Sequence, residues 1–161
     1  MITVVEHGRV RELSLSRRPV NAINPDLVAA LRSRLREARQ DGCAAIMLSG
    51  RPGCFSAGLD VPELLGLDRT QMRAMWQDFF ALLSDVATSD IPIGTALTGH
   101  SPAGGAVIAI CADTACSPRE NISSVSTRSR WGYRCPRSFI ACSRTWSGHE
   151  RRSAWKSPRR S

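Results

Sequence analysis

The chain has 161 residues, 42% of them hydrophobic and 22% charged, which is room for one domain with a buried core. No run approaches the roughly 20 apolar residues of a membrane-spanning helix, and Met1 to Val10 lacks a basic stretch followed by an apolar one, so no export signal is visible and the chain reads as cytoplasmic. Charge is unevenly spread: residues 1–115 carry 11 basic and 12 acidic side chains, whereas residues 116–161 carry 11 and 2, so the basic character belongs to the tail.

Ile2 to Glu6 and Val10 to Ser16 read as two short strands joined by a turn at His7-Gly8-Arg9. Asn24 is placed to cap a helix that starts at Pro25, carries Leu27, Val28, Leu31, Leu35 and Ala38 on one face, and stops at Gly42. Arg32, Arg34, Arg36 and Arg39 on the opposite face read as a solvated surface. Ala44 to Ser49 is a continuous apolar run, as expected of a strand buried on both faces. Asp68 can cap a second helix, in which Met72, Met75, Trp76, Phe79, Phe80, Leu83 and Val86 form a stripe expected to face the core. Ile91 to Thr98 is the next strand, and Gly99 to Gly105 is a glycine-containing turn into the apolar segment Ala106 to Ile110. This alternation of strands and helices is the α/β pattern.

Residues 116–161 contain 11 serines and three of the four tryptophans, but few aliphatic side chains. Backbone ordering costs on the order of 1–2 kcal/mol per residue, and such a segment lacks the apolar surface to offset it. The expectation is a domain over 1–115 followed by a disordered or poorly packed basic tail. The six cysteines include no C-x-x-C pair and read as reduced thiols with no metal role. His7 and His149 have no partner at metal-ligand spacing.

Two segments are suited to chemistry: Cys54-Phe55-Ser56-Ala57-Gly58-Leu59-Asp60 and Gly99-His100-Ser101-Pro102-Ala103-Gly104-Gly105. Each puts small residues after a strand, where the backbone can approach a ligand and offer N–H groups. Taken by spacing alone, both read better as ordinary turns than as a ligand site.

Together with Arg18-Pro19-Val20-Asn21-Ala22-Ile23, and with Glu63 following Asp60, these segments arrive in the order and separation of the enoyl-CoA hydratase/isomerase (crotonase) family. Their Ser-Ala-Gly-Leu-Asp and Pro-Ala-Gly-Gly wording most resembles the enoyl-CoA isomerase branch. The resemblance covers residues 1 to about 115 and implies an incomplete crotonase-like spiral of ββα turns. It also implies a site for an acyl-CoA or enoyl-CoA thioester, with CoA as part of the substrate and no separate cofactor. By motif position the Leu59 and Gly104 N–H groups would form an oxyanion hole, and Ala22, Ala57, Asp60 and Val61 would contact CoA. Family hydratases carry a glutamate where this chain has Val107; the isomerase pattern instead uses one in a later Gly-Leu-Asn-Glu-Val segment. No segment after Asp113 is worded that way, so no general base is assigned and little turnover is expected. His100, within the second segment and beside the expected oxyanion hole, is not a position the family uses as a base.

The break near Ala115 suggests a change of reading frame. Codons built from the last base of one residue and the first two of the next let Ser123 to Arg130 encode Ile-Gly-Leu-Asn-Glu-Val-Ala, with the glutamate spanning Thr127 and Arg128. One lysine against 21 arginines fits a GC-rich gene. Two other readings stand beside the acyl-CoA one. The Arg-rich tail, with Trp131, Tyr133, Trp146 and Trp155, could bind nucleic acid nonspecifically, although specific recognition is not expected. The chain could also be a non-catalytic subunit, although the family trimer or hexamer is not expected from this chain.

Overall fold

The computed structural model describes residues 1–116. The chain forms a mixed five-stranded sheet with helices packed on one face. Strands β1 (Ile2–His7) and β2 (Val10–Leu15) make an antiparallel hairpin, turning at Gly8, whose φ is +64°. Helix α1 (Pro25–Gln40) crosses to β3 (Ala45–Ser49), which lies parallel to β2. A short strand β4 (Gly53–Cys54), a short helix α2 (Val61–Leu65) and the long helix α3 (Arg69–Ala87) lead to β5 (Ile93–Ala96), parallel to β3. Strand β6 (Gly99–His100) pairs with β4 in a separate two-stranded sheet; helix α4 (Gly104–Cys111) and the edge strand β7 (Thr114–Cys116) follow. The main sheet has the order β1-β2-β3-β5-β7.

The helix caps follow from local chemistry. Asn24 Oδ1 accepts from Leu27 N at 2.9 Å, with Pro25 in the first position, where its missing N–H costs no bond. Asp68 and Gln71 form a reciprocal capping box at the start of α3. The core lies between sheet and helices: Leu13, Leu15, Ile46, Leu48 and Ile93 meet Leu27, Leu31 and Leu35 of α1, Met75, Phe79, Leu82 and Val86 of α3, and Ile108 of α4. On the opposite face, Val10, Ala45, Met47 and Ala96 form a smaller cluster, so β3 is buried on both sides as its apolar run requires.

Several expectations need correction. The strand expected over Ile91 to Thr98 is only Ile93–Ala96; the interruption at its start is Pro92, which has no N–H to join the ladder. Helix α4 begins at Gly104, not after Gly105. The α3 stripe is divided: Met75 and Phe79 are buried, but Trp76 is 38% and Phe80 61% exposed. Those two rings stack on each other with centroids 5.9 Å apart. The arginine face of α1 is not simply solvated, since Arg32 pairs with Asp78 at 2.7 Å and Asp85 at 2.9 Å on α3. Arg39 donates to the Asp85 carbonyl, and Arg34 pairs with Glu37. Helix α2, the β4–β6 pair and β7 were not anticipated.

No helix among the described residues is long and apolar enough to cross a membrane. The tail expected to be poorly packed, the reading-frame segment 123–130, His149 and the tryptophans of the nucleic-acid reading all lie outside the described residues.

Candidate active site

The two motif segments, far apart in sequence, are brought together by the β4–β6 pairing. Gly53 N donates to Thr98 O at 2.8 Å, and Phe55 N and Ser56 N both reach His100 O, at 2.9 and 3.3 Å. The loops that follow are thereby laid side by side, one running to Leu59 and the other to Gly104. A Cβ built on Gly58 would lie 3.1 Å from Ala103 Cβ, 3.1 Å from Pro102 O and 3.4 Å from Gly104 N. Gly58 also has φ +88°, so glycine is required there by both conformation and approach. A Cβ on Gly105 would lie 2.9 Å from Ser101 Oγ and 3.0 Å from Ser56 Cβ. Small residues in these motifs therefore serve close backbone packing.

The third segment supplies the floor. Asn21, fully buried with φ +53°, donates through Nδ2 to Phe55 O at 3.0 Å, and its own carbonyl accepts from Ser56 Oγ at 2.7 Å. Ser56 Oγ in turn accepts from Gly58 N at 3.1 Å. Ala57 N donates to Val20 O, Ile23 N to Gly58 O at 2.7 Å, and Asp60 N to Ile23 O at 2.9 Å. These last two bonds make a parallel bridge between Ile23 and Leu59. In such a bridge the central residue turns its own N–H to the other side, so the Leu59 N–H faces away from Ile23.

Gly104 is the first residue of α4, and a Cβ built on it would lie 3.1 Å from Ile23 Cδ1 and 3.6 Å from Leu59 N. Pro102 to Gly105 form a turn closed by Gly105 N to Pro102 O at 3.1 Å, with Ala103 at φ +46°, ψ −118°. Those angles belong to the first corner of a type II′ turn, a position glycine normally fills. Among the described residues, neither the Leu59 N–H nor the Gly104 N–H donates a hydrogen bond. Two unpaired backbone donors thus lie close together, one at the positive end of a helix dipole, an arrangement able to bind an oxygen that carries negative charge.

The other sequence-derived residues are placed as follows. Ala22 is half-buried, and its carbonyl accepts from Arg17 Nη1 at 3.1 Å. Ala57 is exposed at the loop surface and Val61 is 56% exposed at the start of α2. The Asp60 carboxylate caps α2 through Glu63 N at 3.3 Å and pairs with Arg17 Nη1 at 2.7 Å, so it already serves the protein's own structure. Val107 lies on the exposed side of α4, one turn beyond Gly104, and the His100 side chain is exposed. Sequence reasoning missed Arg17, which joins Ala22, Asp60 and Glu63, and the strained Ala103; neither carries a local signal. Burial pushes the Cys54 thiol, beside this loop, above its ordinary pKa, with Arg51 opposing.

Comparison with known proteins shows the family of the chain. The chain is 31% identical over 106 residues to mouse (Mus musculus) mitochondrial enoyl-CoA delta isomerase 1, covering 65% of this chain and 37% of that protein. It is 32% identical over 114 residues to a probable enoyl-CoA hydratase of Rhizobium meliloti (strain 1021), covering 70% and 44%. Human mitochondrial delta3-delta2-enoyl-CoA isomerase superposes with a TM-score of 0.67 at 27% identity, over 71% of this chain and 46% of that one. The chain therefore spans less than half the length of these relatives. The enoyl-CoA hydratase/isomerase family model matches residues 6–129, continuing past the composition break near 115, and the chain belongs to that family.

Proposed function

We propose that the chain binds an acyl-CoA or enoyl-CoA thioester and polarises its carbonyl with the Leu59 and Gly104 N–H groups. The observation that supports this best is the approach of the two segments: a Cβ on Gly104 would come within 3.6 Å of Leu59 N, and neither N–H has a partner among the described residues. The thioester oxygen gains negative charge as the α-carbon loses a proton, so donors held in place favour the enolate over the ground state. Removing one such donor costs about 2.7–4 kcal/mol in comparable sites. Ala22, Ala57 and Val61 are assigned to the CoA moiety, with Asp60 contributing through its backbone and through the loop that it fixes.

Polarisation alone does not complete an isomerisation or a hydration, because a base must also move the α-proton, a contribution of typically about 10²–10⁴ in rate. Val107 occupies the position of one family glutamate and has no proton to exchange. The second is assigned to the shifted reading of Thr127 and Arg128, so turnover by the chain as written is proposed to be minimal. Sequencing the gene across codons 105 to 125 tests the shift: an added or missing base restores the Gly-Leu-Asn-Glu-Val segment and an isomerase assignment.

Binding is tested with a chromophoric thioester whose electron-donating group is conjugated to the carbonyl. Hydrogen bonds to that oxygen stabilise the charge-separated excited state and move the absorption to longer wavelength. The expected result is saturable binding with a red shift that the matching oxygen ester of a simple alcohol does not show. Binding without a shift would leave CoA recognition but remove the oxyanion hole; no binding at all would remove both.

A further inference from the structure

We propose that Arg17 is a positioning residue for the Leu59 N–H; this inference rests on the oxyanion-hole reading and extends it to a side chain outside all three motifs. Arg17 is a single guanidinium, 20% exposed, that holds three points at once. Nη1 donates to Ala22 O at 3.1 Å and lies 2.7 Å from Asp60 Oδ2, and Nη2 donates to Glu63 Oε2 at 2.7 Å. Glu63 Oε1 accepts from Asn24 Nδ2 at 2.8 Å, and Asn24 caps α1.

The consequence for Leu59 comes from the backbone. Leu59 is fixed on either side by the bonds of Gly58 O and Asp60 N to Ile23. Both depend on the register between the Ala22–Ile23 and Gly58–Asp60 segments, which the Asn21 and Ser56 side chains fix on the side before the bridge. Arg17 does so from outside, since it grips Ala22 on one segment and Asp60 on the other. A guanidinium suits this task because its planar fork satisfies several acceptors in fixed directions, which a lysine ammonium cannot. A donor displaced by a fraction of an ångström loses most of its advantage in stabilising a developing charge. The Asn24–Glu63 arm ties the same clamp to α1, so the donor is referred to the rigid part of the fold.

The test compares the 161-residue chain with Arg17→Ala and Arg17→Lys. Amide hydrogen exchange is read without any ligand: in Arg17→Ala, the Ile23 and Asp60 amides should exchange about tenfold faster or more, while the Ile46 and Leu48 amides of β3 keep their rates. The chromophoric thioester is then added. At saturating probe, Arg17→Ala should lose about half of the red shift or more. Arg17→Lys should recover only part of both effects. Unchanged exchange at Ile23 and Asp60, or a full red shift in a folded Arg17→Ala chain, would overturn the positioning role and leave the oxyanion hole standing. A wild-type chain that binds the probe without any shift would overturn both.

Discussion

A Cβ built on Gly99 would lie 2.1 Å from the carbonyl carbon of Gly53 and 2.6 Å from its Cα. The two glycines face each other in the register of β4 and β6, and their backbones meet where the two site loops diverge. Backbone against backbone leaves no flexible group that can yield.

Gly99→Ala is therefore expected to force the two strands apart. The cost should be about 3 kcal/mol, at the upper end for overpacking, seen as a lower urea midpoint. The same variant should weaken thioester binding, because the Leu59 and Gly104 loops lose their common anchor. A variant with wild-type stability would show that β4 and β6 are not held at this distance.

Ala103 makes the opposite case. A non-glycine residue at φ +46°, ψ −118° stores about 1–3 kcal/mol of strain, whereas glycine there adds unfolded-state entropy worth roughly 0.5–1 kcal/mol. Ala103→Gly should therefore stabilise the chain by about 1 kcal/mol, and Ala103→Val, with its branched Cβ, should destabilise it. Urea unfolding of the three proteins decides the order; a glycine variant less stable than wild type would contradict the turn geometry.

How far the sequence reached can be judged from such residues. Asn24, Pro25 and Asp68 announce helix starts because capping is a local matter of a side chain and the next three amides. The apolar run at Ala45–Ser49 likewise states its own burial, and the two small-residue motifs mark where backbone comes close to backbone. Helix α2 escaped notice because its five residues carry only Leu64 into the core. Trp76 and Phe80 follow the α3 stripe by spacing alone, but the face that the helix buries is narrower than the stripe suggests. Arg17 and Asp60 are 43 positions apart, and Ala103 takes its strained angles in a turn that packs against Gly58. Long-range contacts of this kind have no period for a sequence reading to detect.

Glu12 illustrates the same limit inside the sheet. Within β2 it reads as an ordinary polar residue, yet it is 7% exposed and accepts from Ser49 Oγ at 2.6 Å and from His7 Nε2 at 2.8 Å. Glu12→Ala would leave the buried Ser49 hydroxyl without its acceptor, a loss of about 1–3 kcal/mol. Replacing both residues, as Glu12→Ala with Ser49→Ala, should cost less than the sum of the two single changes. Additive costs in a double-mutant cycle would show that the two side chains do not interact.

The thiols give a dependence on pH whose sign is fixed by burial. Desolvation raises Cys54, against a smaller opposing effect of Arg51, and it also raises Cys111. A raised thiol pKa means that the folded chain keeps protons that the unfolded chain releases. Below the unfolded value of about 8.5 both states are protonated and this contribution is fully present. As pH rises beyond it, the unfolded state sheds its protons first, so stability falls until the folded thiols also ionise. Urea unfolding of the wild type at pH 7, 8, 9 and 10 should show this decline, and Cys54→Ala/Cys111→Ala should decline less over the same interval. The remaining slope, from groups common to both proteins, cancels in the comparison. Parallel curves would show that these two thiols meet similar solvent in the folded and unfolded chain.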